Sequence, residues 1–364
     1  MRKLIVALAV CCALATSALA QDVPGLKRDR KFDELVMMLN LEETGLEFTY
    51  KKGKHDGSSV GFHVSQLDRR RSGTFVPYNS SSDPEAEVVS YRLARFLGVS
   101  DIYNPVSYFT IGPLAAARFS ALLKKRTEIY HDRKLNYLRI TTQLKSNPNS
   151  LFGIYRFRPK GKKYVVTSLG SNGEFNLGSQ LAAFIRANGP MPSENRIALP
   201  GVKGQRPGDP VPLEAESELA RQLSVIFTID QLMGQWDRFW RNLEAMGDGS
   251  ARLRLLARDN GGANVDDGWE WHARYERWVS RYDRDVMQKL QALDAFLHGS
   301  KPNFAGYSDV EQWKTAAGFI KASSFNTFKR KLHMLIDKRL PMLEKQFGPK
   351  MYFAAKAAGG APLE

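Results

Sequence analysis

Residues 231–267 read QLMGQWDRFWRNLEAMGDGSARLRLLARDNGGANVDD. Two acidic motifs stand in this stretch: Asp237-Arg238-x-x-x-Asn242 and, beyond an apolar run, Asp259-Asn260-Gly261. An aspartate with an asparagine five residues later, then a second aspartate at a strand end, suits phosphoryl-transfer chemistry. One carboxylate accepts or orients the proton of a substrate hydroxyl, while the amide and the second carboxylate hold the Mg²⁺ that bridges the ATP phosphates. Magnesium takes hard oxygen ligands and only one or two carboxylates from the protein, which this set supplies. Each motif also has a plainer use. Asp237 and Asn242 suit a helix-end cap, and Asp-Asn-Gly suits a hairpin turn.

Upstream of these motifs, an amphipathic helix over 214–233 leads into Asp237, with Leu219, Leu223, Phe227 and Leu232 for the core. Residues 253–256 form a short strand that delivers Asp259. A polar, Trp-rich loop is expected at 264–273, then helices near 282–298, 309–320 and 325–345. Far upstream, the alternation at 46–50, 60–67 and 74–78, broken by polar turns, predicts an antiparallel meander. A helix follows with Asp83 as its cap, Pro84 in its first turn and Gly98 at its end. It carries Glu87. Residues 102–111 read as a further strand. In the middle, 115–125 and 134–144 have helical character, and 152–157 with 164–169 suggest a hairpin around Arg158-Pro159-Lys160-Gly161. A helix at 177–185 and a Pro/Gly-rich loop at 189–212 complete the stretch.

Taken together, these features resemble a set of atypical kinases. Gly73-Thr74-Phe75-Val76-Pro77-Tyr78, Glu87-Val88-Val89-Ser90-Tyr91 and Leu97-Gly98 look like the N-lobe of type II phosphatidylinositol 4-kinases. The Asp237/Asn242 and Asp259-Asn260-Gly261 motifs are similar to those of the same lipid kinases and of secreted Four-jointed-type Golgi kinases. HipA-type bacterial kinases share the Asp-x4-Asn spacing. The resemblance covers about residues 46–112 and 214–300. It implies an α+β, two-lobed protein-kinase-like fold, with a small antiparallel-sheet N-lobe, a mainly helical C-lobe and a basic insertion between them. The corresponding division is 1–20 signal peptide, 21–112 N-terminal arm and N-lobe, 113–212 insertion and linker, 213–350 C-lobe and 351–364 tail. Asp237 would be the catalytic aspartate, and Asn242 and Asp259 would ligate Mg²⁺ or Mn²⁺. Glu87 would be the nucleotide-side helix carboxylate. These families place a lysine where this chain has Val76, and that lysine touches ATP phosphates and pairs with the helix glutamate. Either a lysine from elsewhere substitutes (Lys52, Lys54, Lys160 and Lys162 are candidates), or an arginine does, or transfer is impaired. An exported kinase acting on a hydroxyl of a protein, glycan or lipid is therefore one expectation, and a pseudokinase that binds or regulates a partner is the other.

The ends and the charge bound these expectations. Met1-Arg2-Lys3, the apolar run 4–14 and Ala18-Leu19-Ala20 have the form of a secretory signal cleaved near Ala20, so a periplasmic or secreted protein is expected. Both cysteines, Cys11 and Cys12, lie inside that signal, which leaves the mature chain no disulfide or thiolate metal site. The formal net charge is +15, and residues 113–163 hold thirteen Lys or Arg against two acids, Glu128 and Asp132. Such a segment is a solvated basic face or recruits an acidic acceptor. No zinc-finger or RNP-type motif accompanies it, and a basic envelope- or nucleic-acid-binding protein on another fold is the remaining alternative. The six histidines show no paired ligand spacing such as H-E-x-x-H. Trp236, Trp240, Trp269, Trp271 and Trp278 flank the acidic motifs, where they either pack in the core or stack on a ligand.

Overall fold

A computed structural model describes residues 27–354, apart from 42–45, 51–60, 67–72, 79–82, 128–139, 141, 148, 158–161, 167–169, 172–173, 176–178, 199–201, 204–212, 239–241 and 248–252. The expected signal, the expected tail from 355 on, and most of the helix expected at 134–144 lie outside the described residues, while Met351 and Phe353, expected in the tail, are buried. The first lobe is built on a five-stranded antiparallel sheet. Its strands are β1 (Leu46–Tyr50), β2 (Phe62–Gln66), β3 (Gly73–Pro77), β4 (Val106–Ile111) and β5 (Leu151–Phe157), in the order β1-β2-β3-β5-β4. The meander β1 to β3 follows from its alternation: Phe62, Val64 and Phe75 are buried, with polar residues between them.

The register of β5 decides the site. Thr74 pairs with Arg156 and Val76 with Ile154, while Val106 and Tyr108 of β4 pair with Arg156 and Ile154 from the other side. Paired residues in a sheet share a face, and so do residues two apart on a strand. Val76, Thr74 and Arg156 therefore stand on one face, and Phe75, Phe109 and Tyr155 on the other. The second face packs against two helices. Phe119 of α3 (Pro113–Thr127) lies 5.8 Å from Phe75, and Phe32 of α1 (Lys27–Leu41) lies 6.2 Å from Tyr155, ring centroid to ring centroid. The first face meets α2 (Pro84–Leu97), whose residues are all buried.

Helix α2 begins and ends where its caps say. Asp83 accepts a hydrogen bond from the Glu85 amide at 3.0 Å, and Gly98 takes φ 75° at the C-cap, a left-handed conformation that glycine adopts without steric cost. Three polar attachments hold the helix between the lobes. Arg92 donates to the Ala316 carbonyl at 3.0 Å, and Arg95 pairs with Asp33 at 2.8 Å. Buried Glu85 accepts from the amides of Ile320 and Lys321 and from the Ser324 hydroxyl, at 2.7, 2.9 and 2.8 Å.

The hairpin expected around 158–161 does not form. β5 is filled on both edges by β3 and β4, so the chain leaves that sheet and β6 (Lys162–Val166) joins a second one. This sheet, wholly antiparallel, runs β7-β6-β8-β9, with β7 (Val202–Lys203), β8 (Leu243–Gly247) and β9 (Leu253–Ala257). β5, from the stretch expected as an insertion, thus belongs to the first sheet. Beyond two two-residue strand pairings (Gly170–Ser171 with Glu174–Phe175, and Arg196–Ile197 with Glu214–Ala215) and a short helix, Gln180–Phe184, the described remainder of the second lobe is mainly helical: α4 (Glu216–Met233), α5 (Trp269–Trp278), α6 (Arg284–Leu297), α7 (Val310–Ala317), α8 (Ala322–His333) and α9 (Leu340–Phe347). α5 corrects the expected loop at 264–273. Its polar composition hides a narrow apolar stripe, in which His272 and Tyr275 are buried and Tyr275 packs 5.2 Å from Phe227 of α4. Trp313 of α7 is fully buried among Phe96, Phe319 and Phe328 and forms the centre of this lobe's aromatic core. No described helix is long and apolar enough to cross a membrane.

Candidate active site

The two acidic motifs meet at the ends of β8 and β9, facing Arg156 and Glu87. Gln235 joins their backbones: its Oε1 accepts from the Asp237 amide at 2.9 Å and its Nε2 donates to the Asp259 carbonyl at 3.4 Å. Gly262 is required here, because a Cβ would sit 2.8 Å from the Asp237 Cβ. Asn242 Nδ2 donates to the Asp237 carbonyl at 2.7 Å and to its carboxylate at 3.0 Å. The amide oxygen of Asn242 is then the atom left to meet a cation.

Arg238 fixes this arrangement from below. Its guanidinium is buried and uses all five N–H donors. Nε and one Nη reach the two Asp230 oxygens, each at 2.7 Å. The other Nη reaches the carbonyls of Asn242 and Arg258 at 3.0 and 2.7 Å, and Asn260 Oδ1 completes the set at 2.5 Å. One side chain therefore ties the end of α4 to both motifs. Burial opposes its charge, but the Asp230 carboxylate prevails and raises its pKa.

Val76 is apolar, and the cation that meets Glu87 comes from the next strand. Arg156 Nε lies 3.0 Å from Glu87 Oε1, and one Nη lies 2.6 Å from Asp259 Oδ1. Arg156 stands one strand over and two residues along from Val76, on the same face, a separation of about 5 Å by about 7 Å. Of the lysines considered, Lys52, Lys54 and Lys160 lie outside the described residues. Glu87 is buried and accepts a short hydrogen bond from the Gly261 amide, and the Asp83 amide donates to the Gly261 carbonyl at 2.9 Å. The start of α2 is thereby held against the Asp259-Asn260-Gly261 turn. Burial acts against the charge on Arg156, but Asp259 and then Glu87 outweigh it and raise its pKa. Burial raises the pKa of Glu87 in turn, with Arg156 opposing.

Asp259 takes φ 52° and ψ 49°, the left-handed region that a non-glycine residue seldom occupies. Strain of this kind is kept where surrounding contacts over-determine it, and it clusters at ligand sites. Its side chain is 41% exposed while that of Glu87 is 1% exposed, so Asp259 is the carboxylate that opens to the cleft. Burial, and then repulsion from Asp259, pushes Asp237 up to about 6. The set of two mutually repelling carboxylates and an amide oxygen fits a hard divalent cation.

The titration of Asp237 depends on its neighbour Asp259. In the cation-free protein its carboxyl is expected to titrate near 6, and Asp259→Asn is expected to move the midpoint down by removing the repulsion. Added Mg²⁺ is expected to move it down in the wild type. Carboxyl-carbon NMR against pH checks both; a midpoint unmoved by Asp259→Asn contradicts the assigned cause.

The tryptophans divide. Trp278 packs near Phe227 and Tyr275, Trp269 and Trp271 lie against Arg330 and Arg274, and Trp240 is outside the described residues. Trp236, next to Asp237, is 47% exposed. His272 is packed, with Nδ1 3.1 Å from the Gln231 carbonyl.

No protein-family model matches the chain, and no curated protein matches it in sequence. Solved structures do match. A Golgi casein kinase with Mn/ADP bound superposes with a TM-score of 0.53 at 15% identity, covering 89% of this chain and 81% of that one. The structure of hydra Fam20 with sugar superposes with a TM-score of 0.54 at 13% identity, covering 94% and 98%. At such identities the likeness establishes the fold. The chain has a two-lobed, kinase-like α+β fold, shared with these structures.

Proposed function

We propose that this chain is an exported phosphotransferase that moves the γ-phosphoryl group of ATP to a hydroxyl, with Arg156 in the part that other kinases give to a lysine. The observation that carries this reading is the chain of contacts Glu87–Arg156–Asp259 on the face where Val76 stands. Asp259 and the Asn242 amide oxygen would hold Mg²⁺ or Mn²⁺, which neutralises charge on the phosphates when bound. Asp237, held by Asn242, orients the acceptor hydroxyl and takes its proton. Arg156, kept charged by two carboxylates, offers its remaining N–H groups to phosphate oxygens. The basic stretch 113–163 would draw an acidic protein, glycan or lipid acceptor, although Arg156 itself is spent on the cleft.

One observation favours a second reading, a pseudokinase that binds nucleotide or partner without transfer. Arg156 lies directly on Asp259, so a cation must displace a guanidinium that matches a carboxylate better than an ammonium does. Mature protein incubated with γ-labelled ATP and Mn²⁺, with and without casein or a phosphoinositide, separates the two. Label transfer, autophosphorylation included, that disappears in Asp237→Asn and Asp259→Ala supports the transferase. Metal-dependent nucleotide binding with no transfer to any acceptor supports the pseudokinase.

A further inference from the structure

Far from the acidic motifs in sequence, a second group of ligating side chains converges between α6 and α8. Asp294 lies in the last turn of α6, His298 is its C-cap, and His333 ends α8. One ligand atom from each of the three lies within 4.8 Å of the other two. Both imidazoles turn Nδ1 toward the same carboxylate, at 3.1 Å from Asp294 Oδ1 for His298 and 3.1 Å from Oδ2 for His333. The two rings are 4.5 Å apart, centroid to centroid.

The burial pattern is that of a site with a floor and an open mouth. Asp294 is 7% exposed, and its buried Oδ1 has the His298 Nδ1 at 3.1 Å but no hydrogen bond of good geometry. A buried carboxylate oxygen left without a hydrogen bond is costly, and a cation is one way of satisfying it. The imidazoles are 36% and 46% exposed, which gives an ion access from solvent. The backbone changes here as well: α8 runs directly into a π-helical turn, Met334–Arg339. Such turns occur mostly as local insertions and often at functional sites.

We infer that Asp294, His298 and His333 bind a transition-series divalent cation, Zn²⁺ being the best match. Two neutral imidazoles and one carboxylate form a donor set suited to Zn²⁺, with a fourth, tetrahedral position left to water. Mg²⁺ and Ca²⁺ prefer all-oxygen shells, which separates this site from the cleft. His298 Nδ1 lies 2.9 Å from the Asp294 carbonyl, so on binding it gives up that contact, and the neutral ring takes the Nε2–H tautomer, which leaves the Nδ1 lone pair for the ion. A bound ion would link the end of α6 to the end of α8.

The test uses full-length mature protein with no histidine tag, freed of metal by chelator and dialysis. Calorimetric titration with Zn²⁺, and Co²⁺ absorption in the visible range, are expected to show one equivalent bound. His298→Ala and His333→Ala are each expected to weaken that binding at least tenfold and to abolish the rise in Tm on adding Zn²⁺. Far-UV circular dichroism checks that they remain folded, and Asp294→Asn serves as a third variant. Asp259→Ala is expected to leave the Zn²⁺ equivalent in place, whatever becomes of the cleft. No saturable Zn²⁺ binding by the wild type overturns the site. So does binding that survives both histidine replacements, or binding that Asp259→Ala removes.

Discussion

Arg238→Ala is expected to lower folding stability by about 3–5 kcal/mol, the cost of removing one partner from a buried ion pair. The size follows from what would be left behind. Asp230 is 1% exposed, and apart from Arg238 its carboxylate has the Tyr275 hydroxyl at 3.4 Å. The Arg258 carbonyl and the amide oxygen of Asn260 lose the Arg238 donors at the same time, while the Asn242 carbonyl keeps the Arg258 amide at 2.9 Å. Arg238→Lys keeps the charge but offers three donors from one nitrogen in place of a planar fork, so it should recover only part of the loss. Asp230→Asn in the Arg238→Ala background should also recover part, since no uncompensated charge is then buried. Urea denaturation of the four proteins checks this. A loss below about 1 kcal/mol for Arg238→Ala would place the pair among those that contribute little.

The second large effect concerns Arg156. Arg156→Met is expected to reduce Mn²⁺-dependent nucleotide affinity at least tenfold, about 1.4 kcal/mol or more, by removing charge-assisted bonds to phosphate. Glu87, buried and without its cation, is expected to take up a proton, because burial already raises its pKa. Adding Val76→Lys to Arg156→Met returns a cation to the same face of the sheet from the neighbouring strand. If the role of Arg156 is electrostatic, the double variant should regain nucleotide binding. If Arg156→Met binds nucleotide as the wild type does, the substitution of arginine for lysine is wrong.

Much of this was legible in the sequence because its signals are local. The start and end of α2 are written in Asp83, Pro84 and Gly98, and each acts on residues within one turn of itself. The meander β1 to β3 shows in alternation. The two acidic motifs carry their own spacing. What stayed hidden depends on register between distant segments. Nothing near Arg156 says that it will pair with Thr74, and only that pairing turns it toward Glu87 and Asp259. β8 escaped notice because all five of its residues, LEAMG, are buried, so no alternation marks them. The α5 stripe is narrow and set among charged residues. Asp294 and His298 stand four apart, an ordinary helical spacing, and become a cluster only when α8 brings His333 to them.

The proposed function requires Asp237, Asn242, Asp259 and Arg156 to form a metal–nucleotide cleft in a chain with Val76 where the resemblance expects a lysine. Calorimetry of ADP and ATP binding to the mature protein, with Mn²⁺ and with chelator, and with Asp259→Ala alongside, decides this. The expected result is one nucleotide bound in the presence of Mn²⁺, weakened at least tenfold by chelator and by Asp259→Ala. Nucleotide binding that is absent, or indifferent to both the cation and Asp259, would contradict it.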